Sequence, residues 1–160
     1  MYIEYGPWLW NPRKREIFEV SEKILVRQVG KYPICSYDNK KHYTLNTIYN
    51  IIITDNRFST KYILALLNSK TMQLLWKEIY PEQKDIFPRL KKEQLVEIPI
   101  PIVDKECQKK IEEIVDSIIC IKDLDSYADI SLLDNKIDNI VYELYGLTEE
   151  EIRVVEGFCQ

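Results

Sequence analysis

The sequence predicts an α+β fold: a small, mostly antiparallel sheet with one or two packed helices over residues 1–103, then a C-terminal helical hairpin and a terminal helix over residues 104–160. Three observations carry this expectation. The stretch from Ile17 to Asp55 is rich in β-branched and aromatic residues and is interrupted by the turn formers Gly30, Pro33 and Asp38-Asn39. Behind Ser59 comes a run of aliphatic residues at helical spacing. From Asp104 onwards, apolar residues recur at intervals of four and three in two successive stripes.

Taken in order, the expected strands are Ile17 to Val20, Ile24 to Val29, Pro33 to Tyr37 and Tyr43 to Thr54, the last long enough to bend or carry a bulge. In the second of these, a period of two puts Leu25, Arg27 and Val29 on one face and Ile24, Val26 and Gln28 on the other. Ser59 suits the N-cap of a single core helix carrying Ile63, Leu66, Leu67 and Leu74 and ending near Pro81. After Pro88 the chain makes a basic turn, Arg89-Leu90-Lys91-Lys92, and a short helical turn to Leu95. Prolines fix φ and remove backbone donors, so Ile98-Pro99-Ile100-Pro101 is an edge segment or a linker. Cys107, Ile111, Ile114, Ile118 and Ile121 form one helical stripe, and Ile130, Leu133, Ile137, Ile140 and Leu144 the other. Joined by the polar Lys122 to Asp129, they read as an αα-hairpin whose seam sets Ile111, Ile114 and Ile118 against Ile137, Ile140 and Leu144. Gly146 stops the second helix, and Thr148 to Glu151 is a capping box for the last one.

A chain of 160 residues can bury one core, or a small domain with an appendage. No apolar run approaches the ~20 residues that span a bilayer, and the N-terminus lacks the basic start and apolar run of a leader. Cys35, Cys107, Cys120 and Cys159 have no paired short spacing of the kind that builds zinc sites, and His42 is the only histidine. Cys107 and Cys120 fall on the apolar side of a predicted helix, where buried reduced thiols are expected; the protein is expected to be cytoplasmic, with no membrane partner.

The formal net charge of −4 conceals a division along the chain. Residues 1–95 hold 16 Lys and Arg against 10 Asp and Glu, while residues 96–160 hold 6 against 16. The first part is basic and the last part acidic. Three basic groups stand in predicted loops or turns: Arg13-Lys14-Arg15, Lys40-Lys41-His42, and Arg89 with Lys91 and Lys92. Loop lysines and arginines suit phosphate contacts, and polar side chains such as Asn39, Asn46 and Gln28 suit base edges, so the basic part is a candidate DNA-binding surface.

Catalytic signatures are missing from the same chain. The four glycines, Gly6, Gly30, Gly146 and Gly157, are scattered, so no nucleotide or S-adenosylmethionine loop is expected, and no cofactor or metal site is assigned. His42 has no Ser or Cys near it in sequence and reads as a solvated or phosphate-facing residue. Glu82-Gln83-Lys84 could mimic half of a metal-dependent nuclease site if Asp55 supplied a second carboxylate, but Pro81 precedes it and no strand pattern flanks it; a solvated loop is the simpler reading.

The order of segments resembles the TaqI-like C-terminal specificity domain of adenine-N6 DNA methyltransferases and fused type II restriction-methylation enzymes. The resemblance is carried by Lys23-Ile24-Leu25-Val26-Arg27, Ser36-Tyr37-Asp38, Tyr62-Ile63-Leu64-Ala65-Leu66-Leu67-Asn68-Ser69, and Phe87-Pro88-Arg89-Leu90 running into Ile98-Pro99-Ile100-Pro101. Ile137-Asp138 and Val141-Tyr142-Glu143-Leu144-Tyr145-Gly146-Leu147-Thr148 also look like the closing helices of those enzymes. The resemblance implies target recognition on double-stranded DNA, with an N-terminal or separate methyltransferase or endonuclease domain holding S-adenosylmethionine and flipping out the target adenine. The Asn-Pro-Pro-Tyr type motif of that domain does not occur here, so the chain alone is not expected to be catalytic. The first candidates for DNA contact are Arg27, Lys40, Lys41, Arg89, Lys91 and Lys92, with Arg13, Lys14 and Arg15 behind them. A second reading makes the acidic helical hairpin a protein-docking module.

Overall fold

A computed structural model describes residues 4–9, 12–80 and 88–158. Its sheet comprises β1 (Lys23–Arg27), β2 (Cys35–Asp38) and β3 (Ile48–Ile51), in the order β2-β1-β3 with both pairings antiparallel. The helices are α1 (Thr60–Asn68), α2 (Lys70–Ile79), α3 (Lys92–Val96), α4 (Lys105–Leu124), α5 (Ser131–Tyr145) and α6 (Glu149–Phe158). The fold is α+β, as the pattern predicts.

Residues directly opposite one another in a ladder share a face. The register therefore sets Ile24, Val26, Cys35, Tyr37, Tyr49 and Ile51 on one side of the sheet, and Lys23, Leu25, Arg27, Ser36, Asp38, Ile48 and Asn50 on the other. α1 packs on the first side, where Ile24 and Val26 are fully buried. Burial of side chains of this size contributes about 1.5–3 kcal/mol each, so the alternation in β1 fixes which face turns inward.

Several elements differ from the sequence expectation. Ile17 to Val20 is not a strand: Arg15–Ile17 is a 3-10 turn that delivers Phe18 into the core at 2% exposure. Tyr43 to Thr54 contributes only Ile48–Ile51 to the sheet. The preceding loop is held instead by Asp38, which accepts the backbone N–H groups of Lys40 and His42. The expected single core helix is two, because Ser69 is extended (φ −66°, ψ 155°) between α1 and α2. Its hydroxyl donates to Leu66 O and accepts from Met72 N–H, ending one helix and capping the next.

The motif Leu66-Leu67-Asn68-Ser69 thereby gains a physical meaning. Asn68 Oδ1 accepts from Cys35 N–H at 2.9 Å and its Nδ2 donates to Cys35 O at 3.1 Å, so the end of α1 completes the outer edge of β2. Ile98-Pro99-Ile100-Pro101 is neither helix nor strand; the Pro99 and Pro101 carbonyls accept the hydroxyls of Tyr145 and Tyr62.

The hairpin of α4 and α5 forms, and it packs on α1 and α2. Its deepest residues are Ile111 and Val115 on α4 and Ile137, Val141 and Tyr142 on α5, whereas Ile114, Ile118, Ile140 and Leu144 of the expected seam are half-buried. The shift follows from α1, which packs against α4 and draws Val115 inward. Buried polar residues add the joints. Gln108 accepts from Ser59 N–H and donates to Arg57 O and Val103 O, and Asp138 accepts from Lys70 N–H at the start of α2. Gly146 has φ 65°, the left-handed stop expected of it, and Thr148 and Glu151 make the capping box.

Of the thiols, Cys35 and Cys107 are partly covered, but Cys120 is exposed, on the outer side of α4. Its expected burial is thus corrected: the seam of α4 turns Val115, Ile118 and Ile119 inward and leaves Cys120 out.

Candidate nucleic-acid interface

β1 is the central strand, and its last residue sits where several distant segments meet. Arg27 N–H donates to Ile34 O at 3.2 Å on the β2 side, and Arg27 lies opposite Ile48 in β3. Beyond it the chain stays extended, and residues 88–90 pair with it: Val29 bridges Arg89, Gly30 N–H donates to Pro88 O at 2.9 Å, and Leu90 N–H donates to Gln28 O at 2.8 Å. Alternation along this segment buries Leu90, at 2% exposure, and turns Arg89 to solvent. Lys91 then caps α3, its N–H bonded to Gln94 Oε1, and Lys91 and Lys92 are both exposed.

The fold therefore gathers Arg27, Arg89, Lys91 and Lys92 at one end of the sheet, and adds Lys31. Arg13 reaches the same end from below, its guanidinium 3.4 Å from Ile48 O. Lys14 is exposed one residue further on. Arg15 turns away, donating to Tyr5 O and lying over the Tyr5 ring. Lys40 and Lys41 stand beyond the opposite end, past Asp38, which pairs with Lys23 at the start of β1. Among the proposed base readers, Asn39 and Asn46 are exposed in the loop after β2, and Gln28 is half-buried with its backbone committed to Thr47 and Leu90.

Charge compensation separates the two ends. Among the described residues, none of Arg27, Lys31, Arg89, Lys91 and Lys92 has a carboxylate within ion-pair distance, whereas Lys40 pairs with Asp123, Lys61 with Asp116, Lys70 with Asp138 and Glu156, and Arg57 with Asp55. The Lys23–Asp38 pair is buried on both sides and takes a further contact from His42 Nδ1 at 2.8 Å. Burial alone would raise the Asp38 carboxyl; hydrogen bonds from Lys23, His42 and the Lys40 N–H outweigh it and hold the group down at about 2. Burial pushes the Cys35 thiol up to about 12, which leaves it a neutral, unreactive filler.

Beside Arg27 lies a cleft of about 430 Å³, walled by Val29, Gly30, Tyr32, Ile34 and Pro88, with Lys31 at its rim. Lys31 was not singled out by sequence; the signal available was its place directly after Gly30, at the turn that ends the extended segment. Ser36, known from sequence only as part of the Ser36-Tyr37-Asp38 motif, and Asn50, not singled out at all, lie on the Arg27 face of the sheet through a register that is not local. Asn50 donates to Thr44 Oγ1, and its buried Oδ1 has no hydrogen-bond partner among the described residues.

Glu82-Gln83-Lys84 lies outside the described residues, as does Phe87. Asp55, the carboxylate that a nuclease site would need, is held bidentately by Arg57 Nε and Nη2 and lowered by that contact. Among the described residues, no group of three His, Cys, Asp or Glu side chains could hold a metal ion, and no helix is long and apolar enough to cross a membrane.

A small α+β domain that spends its aliphatic motif residues on a core and presents uncompensated cations from one sheet end has the character of a DNA-recognition module. The chain belongs to the TaqI-like C-terminal specificity domain family, whose model matches residues 1–100. It is accordingly a specificity module of restriction-modification and DNA methyltransferase systems. Among curated proteins, no sequence matches the chain.

Proposed function

We propose that this chain selects a target sequence on double-stranded DNA for methylation, cleavage or both, while the chemistry belongs to a methyltransferase or endonuclease domain that precedes it or acts as a separate chain. The observation that supports this reading is the cluster of Arg27, Lys31, Arg89, Lys91 and Lys92, exposed or at a cleft rim and without carboxylate partners among the described residues. An unpaired cationic cluster repels itself, and phosphate relieves that repulsion. S-adenosylmethionine would be held by the catalytic domain; the glycines here are too far apart in sequence to form one cofactor loop, and no step of the methyl transfer is assigned to these residues.

The test is the salt dependence of duplex binding, read by fluorescence anisotropy. Each phosphate contact contributes a slope of about −0.9 in log K against log salt, so Lys91→Ala with Lys92→Ala should flatten the slope by roughly two units if both touch phosphate. Lys109→Ala with Lys110→Ala, on α4, should leave it unchanged. Equal effects of the two pairs would remove the cationic end from the reading.

A second reading is favoured by the hairpin tip. Leu124, Tyr127 and Leu132 are 86%, 95% and 80% exposed, although the loop that presents them is pinned by Lys122 Nζ bonds to Ser126 O and Ala128 O and by an Asp125 bond to Tyr127 N–H. A fixed apolar tip with Asp123, Asp125 and Asp129 around it suits docking onto a partner domain with a basic rim. Leu124→Ser with Tyr127→Ser should then weaken association with a methyltransferase supplied in trans without changing DNA affinity.

A further inference from the structure

We infer that the cleft beside Arg27 is a base-reading pocket that takes the major-groove edge of guanine, which makes Arg27 a specificity-determining residue; the inference rests on the DNA-reading function proposed above.

Arg27 ends the central strand and is held from both sides, by the Ile34 carbonyl and by pairing with Ile48. Its side chain leaves the sheet on the face opposite α1, in a row between Ile34 and Ile48, and is exposed. The guanidinium lies along the backbone of Gly30: a Cβ at that position would stand 3.5 Å from Arg27 Nη2 and 3.2 Å from Tyr32 O. The Arg27 distance is an ordinary packing contact, and the tight one would be to the Tyr32 carbonyl, so the guanidinium packs close to the Gly30 backbone; Val29 and Ile34, 37% and 43% exposed, keep an apolar border beside it.

Chemistry then selects the ligand. Guanidinium carries donors only, in a planar fork. Across the major groove guanine offers two neighbouring acceptors, O6 and N7, whereas adenine offers one acceptor beside a donor and cytosine a donor. A fork with no carboxylate partner among the described residues, set on a rigid strand, matches the first pattern and conflicts with the other two. Apolar borders shed water from its flanks and strengthen the hydrogen bonds it makes. Lys31 and Arg89, on either side, would meet the backbone phosphates that set the register.

The experiment is selection of bound duplexes from a randomised pool by the full chain, followed by anisotropy titrations of the selected duplex. Selected sites should share one invariant G·C pair. Replacing its guanine by 7-deazaguanine, which lacks the N7 acceptor, should weaken wild-type binding by about tenfold. Arg27→Lys, which retains the charge and loses the fork, should bind the unmodified site about tenfold more weakly and be indifferent to the 7-deaza change. Its affinity for a scrambled duplex should stay within twofold of wild type. If Arg27→Lys keeps the guanine preference, or if 7-deazaguanine has no effect on the wild-type chain, Arg27 does not read guanine although the chain still reads DNA. If the chain enriches no sequence and binds no duplex, the DNA-reading function falls, and this inference with it.

Discussion

At the scale of single residues, the molecule relies on a few buried polar side chains that no local pattern announces. Lys23 is fully buried on Asp38 and also donates to Phe18 O, so removing the carboxylate strands an ammonium in the core. Asp38→Ala should destabilise the chain by about 3–5 kcal/mol in urea titrations, and a paired Lys23→Met, Asp38→Leu replacement by clearly less. Because the Asp38 carboxyl sits at about 2 in the folded chain, below the ~3.9 of an unfolded aspartate, its contribution is complete above about pH 4 and is lost as the pH falls toward 2. Urea midpoints measured through that window should drop more steeply in the wild type than in the double replacement, which keeps only the loss from the other carboxylates held low, such as Asp55 and Glu156. Asn68 carries two bonds to the Cys35 backbone near the surface, and Asn68→Ala should lower stability by about 1–2 kcal/mol, read as a lower Tm. Sequence singled out Asn68 only as part of a motif. Its partner is 33 residues away, a separation that no spacing rule reaches.

At the scale of elements, types were legible and limits were not. The alternation in β1 gave the division into two faces, and Gly146 and the Thr148-Glu151 box gave the end of α5 and the start of α6, because each of these signals is written within a few residues. The division between α1 and α2 was hidden, since the aliphatic period runs through it. Ser69 ends the helix there with its own hydroxyl, and Asp138 of α5 takes the Lys70 N–H that a continuous helix would have used. Ser69→Ala should cost about 1 kcal/mol through the lost cap, measured by thermal melting. The hairpin seam makes a sharper comparison. Val141→Asp puts a charge at a fully buried position and should cost several kcal/mol, while Ile140→Asp, one residue along and half-buried, should cost distinctly less. Similar losses from both would mean that the inner face of α5 is centred on Ile140 after all.

At the scale of the whole molecule, the charge division could be counted from sequence, but the meeting of Arg27 with Arg89 could not, since it depends on a bridge between Val29 and Arg89 across a long stretch of chain. The same geometry ranks the candidates. Lys40 is engaged with Asp123 and stands at the far end of the sheet, so Lys40→Ala with Lys41→Ala should change the salt slope of DNA binding less than Lys91→Ala with Lys92→Ala does. The division of charge has a kinetic meaning as well. A chain with net charge +6 over residues 1–95 and −10 over residues 96–160 has an electric moment to the extent that the fold keeps the two parts apart, and the field of a polyanion exerts a torque on such a moment before contact. If the cationic end reads DNA as proposed, the torque would turn it foremost in a larger fraction of collisions. That alignment operates only within the reach of the field, about 8 Å at physiological ionic strength, and it fades as added salt shortens that reach.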